Sequence, residues 1–123
     1  MPHIILEHSF PIPTNKLNSL LLSLNQNISK HEGNFDISQC KARSVFVNNF
    51  VIGNGNLSQD FIHIAINIME GRSLEIRQNL AKNLLQIVGN FLQENQLSSK
   101  SIALSIDISQ MTKEIYQKTV ITN

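Results

Sequence analysis

Three sets of residues in this chain have types and positions that could do chemistry. The first is Pro2, directly behind Met1. Initiator Met is normally removed when a small residue follows, and proline qualifies. Removal leaves a free secondary amine at the start of the chain. Such an amine is a base only when unprotonated, and desolvation and neighbouring cations both lower its pKa toward working pH. The second set is cationic. Arg72 sits between Gly71 and a helix start at Ser73, beside backbone N–H groups that favour anions, and Lys41 and Arg43 flank the start of a strand. The third set is His3, His8, His31, His63 and Cys40. Their spacings match no zinc pattern, so no metal site is expected, and the lone Cys40 reads as a small packed residue rather than a nucleophile. Gly53-Asn54-Gly55 lacks the rest of a dinucleotide or phosphate-loop motif, and no Gly-x-Ser-x-Gly elbow is present.

The elements that must position these residues fall into two similar halves, about 2–50 and 60–108, followed by a tail. In the first half, Pro2 to Glu7 reads as a strand, broken by Pro11 and Pro13. Thr14 or Asn15 is the expected N-cap of a helix whose Leu17, Leu20, Leu21, Leu24 and Ile28 share one face, with Gly33 at its C-terminal end. A strand around 42–50 follows, and Gly53 to Asn56 is a turn. In the second half, Ile62, Ile64, Ile66 and Ile68 alternate with His63, Ala65 and Asn67, a strand with one apolar face. Ser73 is the expected N-cap of a helix running to about residue 95, with Glu75 in its first turn and Leu80, Leu84, Val88 and Leu92 on its stripe. Ile102, Leu104, Ile106 and Ile108 repeat the strand alternation. The segment 111–123 carries no clear period.

The order is therefore β-α-β, turn, β-α-β. Each crossover predicts a parallel strand pair. The expected fold is α+β: one domain over 1–123 with a four-stranded mixed sheet and both helices on one face. The other face is left without a layer, which points to oligomerisation.

Composition limits the partners. The chain has 123 residues, 41% apolar and 15% charged, enough apolar content for a core and too much for a disordered tail. Ten basic against nine acidic residues give a net charge of +1, which speaks against an electrostatic nucleic-acid binder. A single cysteine suits a reducing compartment. No apolar run approaches the roughly 20 residues of a membrane helix, and no basic-then-apolar leader opens the chain. A cytoplasmic protein without membrane or nucleic-acid partners is expected.

Two stretches resemble the 5-carboxymethyl-2-hydroxymuconate isomerase family of the tautomerase superfamily. They are Met1-Pro2-His3-Ile4-Ile5-Leu6-Glu7, and Phe61-Ile62-His63 through Gly71-Arg72-Ser73-Leu74-Glu75-Ile76-Arg77-Gln78. The resemblance implies the tautomerase β-α-β-β-α-β unit assembled as a homotrimer, with the mature N-terminal proline, here Pro2, as the catalytic acid/base. It also implies cationic residues that bind the substrate's carboxylates. Arg72 matches one such position. Lys41-Ala42-Arg43 stands where the family has Arg-x-Arg, and Lys41 keeps the charge of the expected Arg without its planar two-pronged grip. Phe46 replaces a tryptophan and would add to an apolar surround for the amine.

The implied activity is that of an intramolecular oxidoreductase-type isomerase, shifting keto–enol and C=C bonds. It would ketonise a 2-hydroxymuconate-type dienol carboxylate, 5-carboxymethyl-2-hydroxymuconate, in aromatic catabolism, without a metal or organic cofactor. Two alternatives stand beside it. One is a tautomerase-fold enzyme acting on another keto–enol acid, or hydrating or dehalogenating through the same proline. The other is a non-catalytic trimer.

Overall fold

A computed structural model describes residues 2–123. The elements are β1 (His3–His8), α1 (Thr14–Lys30), a short 3-10 turn (Ile37–Gln39), β2 (Lys41–Phe46), β3 (Gln59–Met69), α2 (Leu74–Asn95) and β4 (Ser101–Met111). The sheet order is β2-β1-β3-β4. β1 and β2 are parallel, β3 and β4 are parallel, and the two halves meet antiparallel through β1 and β3. This is the expected mixed sheet with two parallel crossovers.

Period-two and period-3.6 apolar patterns meet in one core. Ile4 and Leu6 of β1, and Ile62, Ile64, Ile66 and Ile68 of β3, are fully buried against Leu24 and Ile28 of α1 and Leu80, Leu84 and Val88 of α2. Each such side chain contributes on the order of 1.5–3 kcal/mol by leaving water. The opposite sheet face carries the alternate residues: His3, Ile5 and Glu7 on β1, Lys41 and Arg43 on β2, and His63 and Asn67 on β3. No helix covers it.

Several boundaries differ from the sequence expectation. Helix α1 is capped by Pro13, whose carbonyl accepts from Leu17 N–H at 2.9 Å, so Thr14 and Asn15 are already helical. A proline there has no N–H of its own to satisfy. The helix stops at Lys30, and Asn34, not Gly33, takes the left-handed conformation (φ 58°). Gly33 is needed for space: a Cβ there would meet the Phe35 ring at 2.4 Å. β2 ends at Phe46, well short of residue 50. Ser73 does cap α2, its Oγ accepting from Ile76 N–H at 3.2 Å. The segment after β4 makes one turn over Thr112–Ile115 and runs on without helix or strand.

Candidate active site

Pro2 lies just before β1 and is buried. Its carbonyl accepts from the backbone N–H of Lys41 at 3.0 Å, so the first residue of β2 is tied beside it. The parallel register then sets His3 opposite Lys41 and Ile5 opposite Arg43. Residues at odd positions of β1 point to the bare sheet face, and their β2 partners point the same way. Lys41, Arg43 and His3 therefore gather on that face at the Pro2 end of the sheet. The Arg43 guanidinium donates through Nη1 to His3 Nδ1 at 3.1 Å. Guanidinium can only donate, so Nδ1 carries no proton. Lys118, from the C-terminal segment, bonds Gln39 Oε1 just before β2 and adds its charge to the field at His3.

Partial burial, then the Arg43 and Lys41 charges, hold His3 below the usual imidazole range. The same field acts on any base at the head of β1.

Arg72 is held just past the end of β3, the end that pairs with the start of β1. Gly71, at φ 120°, turns the chain after β3 in a conformation that favours glycine. The guanidinium of Arg72 then donates through Nε to Gly33 O at 3.1 Å and through Nη1 to Met69 O at 3.3 Å, and lies 4.4 Å from the centre of the Phe35 ring. Nη2 has no protein partner among the described residues. The side chain lines an open groove of about 360 Å³ with Glu32, Glu70 and Lys113. The structure therefore joins Pro2, Lys41 and Arg43 through the β1–β2 ladder, and anchors Arg72 on backbone carbonyls just past the end of β3, the end that pairs with the start of β1, with no hydrogen bond to the three among the described residues. At the N-terminus of α2 the Ser73 Oγ takes the N–H of Ile76.

Phe46 is also placed apart. It pairs with His8 at the far end of β1, about 20 Å along the strand from Pro2. There it stacks on the His8 ring, centroids 5.3 Å apart and planes 7° from parallel. Within one chain it adds nothing to the surround of Pro2. Of the remaining candidates, His31 is half-buried and its Nδ1 has no hydrogen-bond partner among the described residues, while the others have local partners or burial. His8 Nδ1 bonds Phe10 O at 2.8 Å, and His63 Nδ1 bonds Ser105 Oγ at 2.7 Å. Cys40 is a buried thiol whose pKa burial pushes up. No group of three or more His, Cys, Asp or Glu among the described residues could hold a metal ion. No helix among them is long and apolar enough to cross a membrane.

The sequence reading missed His3 as a contributor here, because alternation alone made it an ordinary strand position. Its neighbour Arg43 is 40 residues away in sequence, and only the β1–β2 register shows the pair. Lys118 was missed because its segment has no period to read.

Comparisons with known proteins agree with this architecture. The model of the 5-carboxymethyl-2-hydroxymuconate isomerase family matches residues 2–122. Among solved structures, a 5-carboxymethyl-2-hydroxymuconate isomerase from Deinococcus radiodurans R1 superposes with a TM-score of 0.83 at 22% identity, covering 96% of this chain and 88% of that one. A 5-carboxymethyl-2-hydroxymuconate delta-isomerase gives 0.78 at 16% identity, with 98% and 88% covered. A fused 4-OT protein, described as a symmetric trimer, gives 0.73 at 12% identity, with 91% and 88% covered. These likenesses show the tautomerase fold. No curated protein matches by sequence.

Proposed function

The chain belongs to the 5-carboxymethyl-2-hydroxymuconate isomerase family, and from that premise we propose that it ketonises a 2-hydroxymuconate-type dienol carboxylate, 5-carboxymethyl-2-hydroxymuconate, with the Pro2 amine as acid/base. The observation that carries this reading is the cationic cluster of Lys41, Arg43 and Lys118 around the head of β1, registered on Pro2 by the Lys41 N–H to Pro2 O bond.

The proposed mechanism moves one proton. With Met1 removed, the neutral Pro2 nitrogen takes the proton of the substrate's 2-hydroxyl group. The resulting dienolate collapses to a C2 ketone as its electrons shift along the conjugated chain. The protonated amine then returns a proton to C3 or C5, giving 1,3- or 1,5-ketonisation. Atoms and charge balance without a cofactor. Lys41 and Arg43 hold one substrate carboxylate and keep the amine's pKa low. Arg72 offers Nη2 to a second carboxylate and stabilises charge developing on the dienolate. With Met1 attached the Pro2 nitrogen is an amide and has no basic lone pair.

A homotrimer completes the reading. β2 and β4 are both open edges, and a head-to-tail contact between unlike edges closes into a ring when its rotation is one third of a turn.

The test is a spectrophotometric ketonisation assay with 5-carboxymethyl-2-hydroxymuconate, on protein shown by intact mass to lack Met1. Turnover by the Met-free chain, reduced at least about 100-fold in protein that retains Met1 and so carries an amide at Pro2, is expected for loss of a general acid/base. No rate above buffer from Met-free protein overturns the substrate assignment, and equal activity with Met1 retained overturns the mechanism.

A further inference from the structure

We propose that His3 is a positioning residue for Arg43: its unprotonated Nδ1 accepts from the Arg43 guanidinium and fixes the anion-binding end of that side chain beside Pro2. The inference rests on the reading of Arg43 as a carboxylate ligand and goes beyond it by saying what orients that ligand.

The geometry has three parts. Arg43 is an exposed side chain on an edge strand, free of packing that would hold its long stem. Such a side chain loses rotamer freedom when it binds an anion, and a pre-made hydrogen bond removes part of that cost beforehand. The Nη1 bond to His3 at 3.1 Å is the one hydrogen bond that its guanidinium makes among the described residues. It leaves Nε and Nη2 for a carboxylate, the fork through which guanidinium grips one.

The bond exists only while His3 is neutral. A protonated imidazole has no acceptor and would repel Arg43. The charged groups acting on His3 all oppose protonation: Arg43 and Lys41 come from β2, the terminal amine from the start of the chain and Lys118 from the C-terminal segment, while Asn67 on β3 is uncharged. Glu7, on the same face of β1, is four residues along the strand. Burial and these cations lower the pKa of His3, so the contact persists at neutral pH and is lost as pH falls through that lowered value.

The experiment compares native chain, His3→Phe, His3→Asn, Arg43→Gln and the His3→Phe/Arg43→Gln double variant, all without Met1. It measures KM and kcat for ketonisation against pH, and the Kd of muconate, a non-reacting dicarboxylate, by calorimetry. His3→Phe keeps a flat ring and removes the acceptor. It should raise KM and Kd about tenfold, with kcat within about twofold. His3→Asn supplies an acceptor that does not titrate. It should restore neutral-pH affinity and abolish the rise in KM on acidification. The double variant should be no worse than Arg43→Gln alone, since the two residues act as one unit. Unchanged KM and Kd in His3→Phe, an effect that multiplies with Arg43→Gln, or no rescue by His3→Asn overturns the proposal. If the native chain lacks ketonisation yet muconate binding follows this pattern, the reaction assignment falls and the His3 role stands. If neither activity nor muconate binding is found, both fall.

Discussion

Pro2, Lys41 and Arg43 lie together because the parallel β1–β2 ladder fixes where their side chains emerge. Charge alone would not do this, since exposed cations are individually worth little and wander. Their effect comes from number and proximity, and at His3 it adds to burial in lowering the imidazole pKa. Cys40 illustrates the opposite case. Its thiol is buried, donates to Asp36 O at 3.4 Å and is pushed toward the protonated form by burial. We expect slow alkylation of Cys40 by iodoacetamide at pH 7 in the native chain and fast alkylation in denaturant. Fast native labelling would show an exposed or activated thiol. Cys40→Ser should leave kcat within about twofold, because no step of the mechanism uses sulfur.

At the scale of elements, the loop after α1 and the turn after β3 are joined by Arg72. The joint depends on Gly33, for a Cβ there would collide with Phe35, the ring beneath the Arg72 guanidinium. Phe35 is itself buried, so the ring cannot move away without disturbing the core edge. Gly33→Ala should cost roughly 1–3 kcal/mol, as overpacking does. A urea midpoint equal to that of the native chain would show that the ring has room to move. The element types were legible from the sequence, since strict alternation and i, i+4 stripes predict β-α-β twice. The ends were less so. Gly33 read as a helix terminus because glycine favours that position, whereas its actual job is a tertiary contact that no local pattern encodes. The N-cap was misplaced by two neighbouring polar residues, when Pro13 opens the helix without a side-chain cap.

Across the whole molecule, the most exposed apolar side chains among the described residues lie in two segments. Val51 and Leu57, in the β2–β3 connection, are 78% and 84% exposed, and Ile115 and Ile121, after β4, are 79% and 83% exposed. Apolar groups this open are consistent with cover from other copies of the chain, which fits the proposed trimer with two open sheet edges. Light scattering should return about 42 kDa, three times the 13.9 kDa of one chain. A species of one chain mass would remove the trimer from the proposal. Stability should also fall on mild acidification. His3 binds protons less readily folded than unfolded, so folding loses ground as pH drops from the ordinary imidazole value near 6.5 through the lowered one. A thermal midpoint in His3→Asn that is less sensitive over this range is the expected sign.

The sequence by itself determined the order and type of the elements, the parallel crossovers and the apolar faces, because periods of 2 and 3.6 residues are written locally and need no partner to be read. It also singled out Pro2, Lys41, Arg43 and Arg72. Only the tertiary structure decided what each of them touches. The β1–β2 register sets two of the cations beside Pro2 and brings in His3. The close approach at Gly33 draws Arg72 onto a carbonyl cradle. Phe46 is carried to the other end of the strand by the same register. Each of these is a contact between residues far apart in the chain, fixed by which strands pair and where loops return, and no spacing within one segment carries that information.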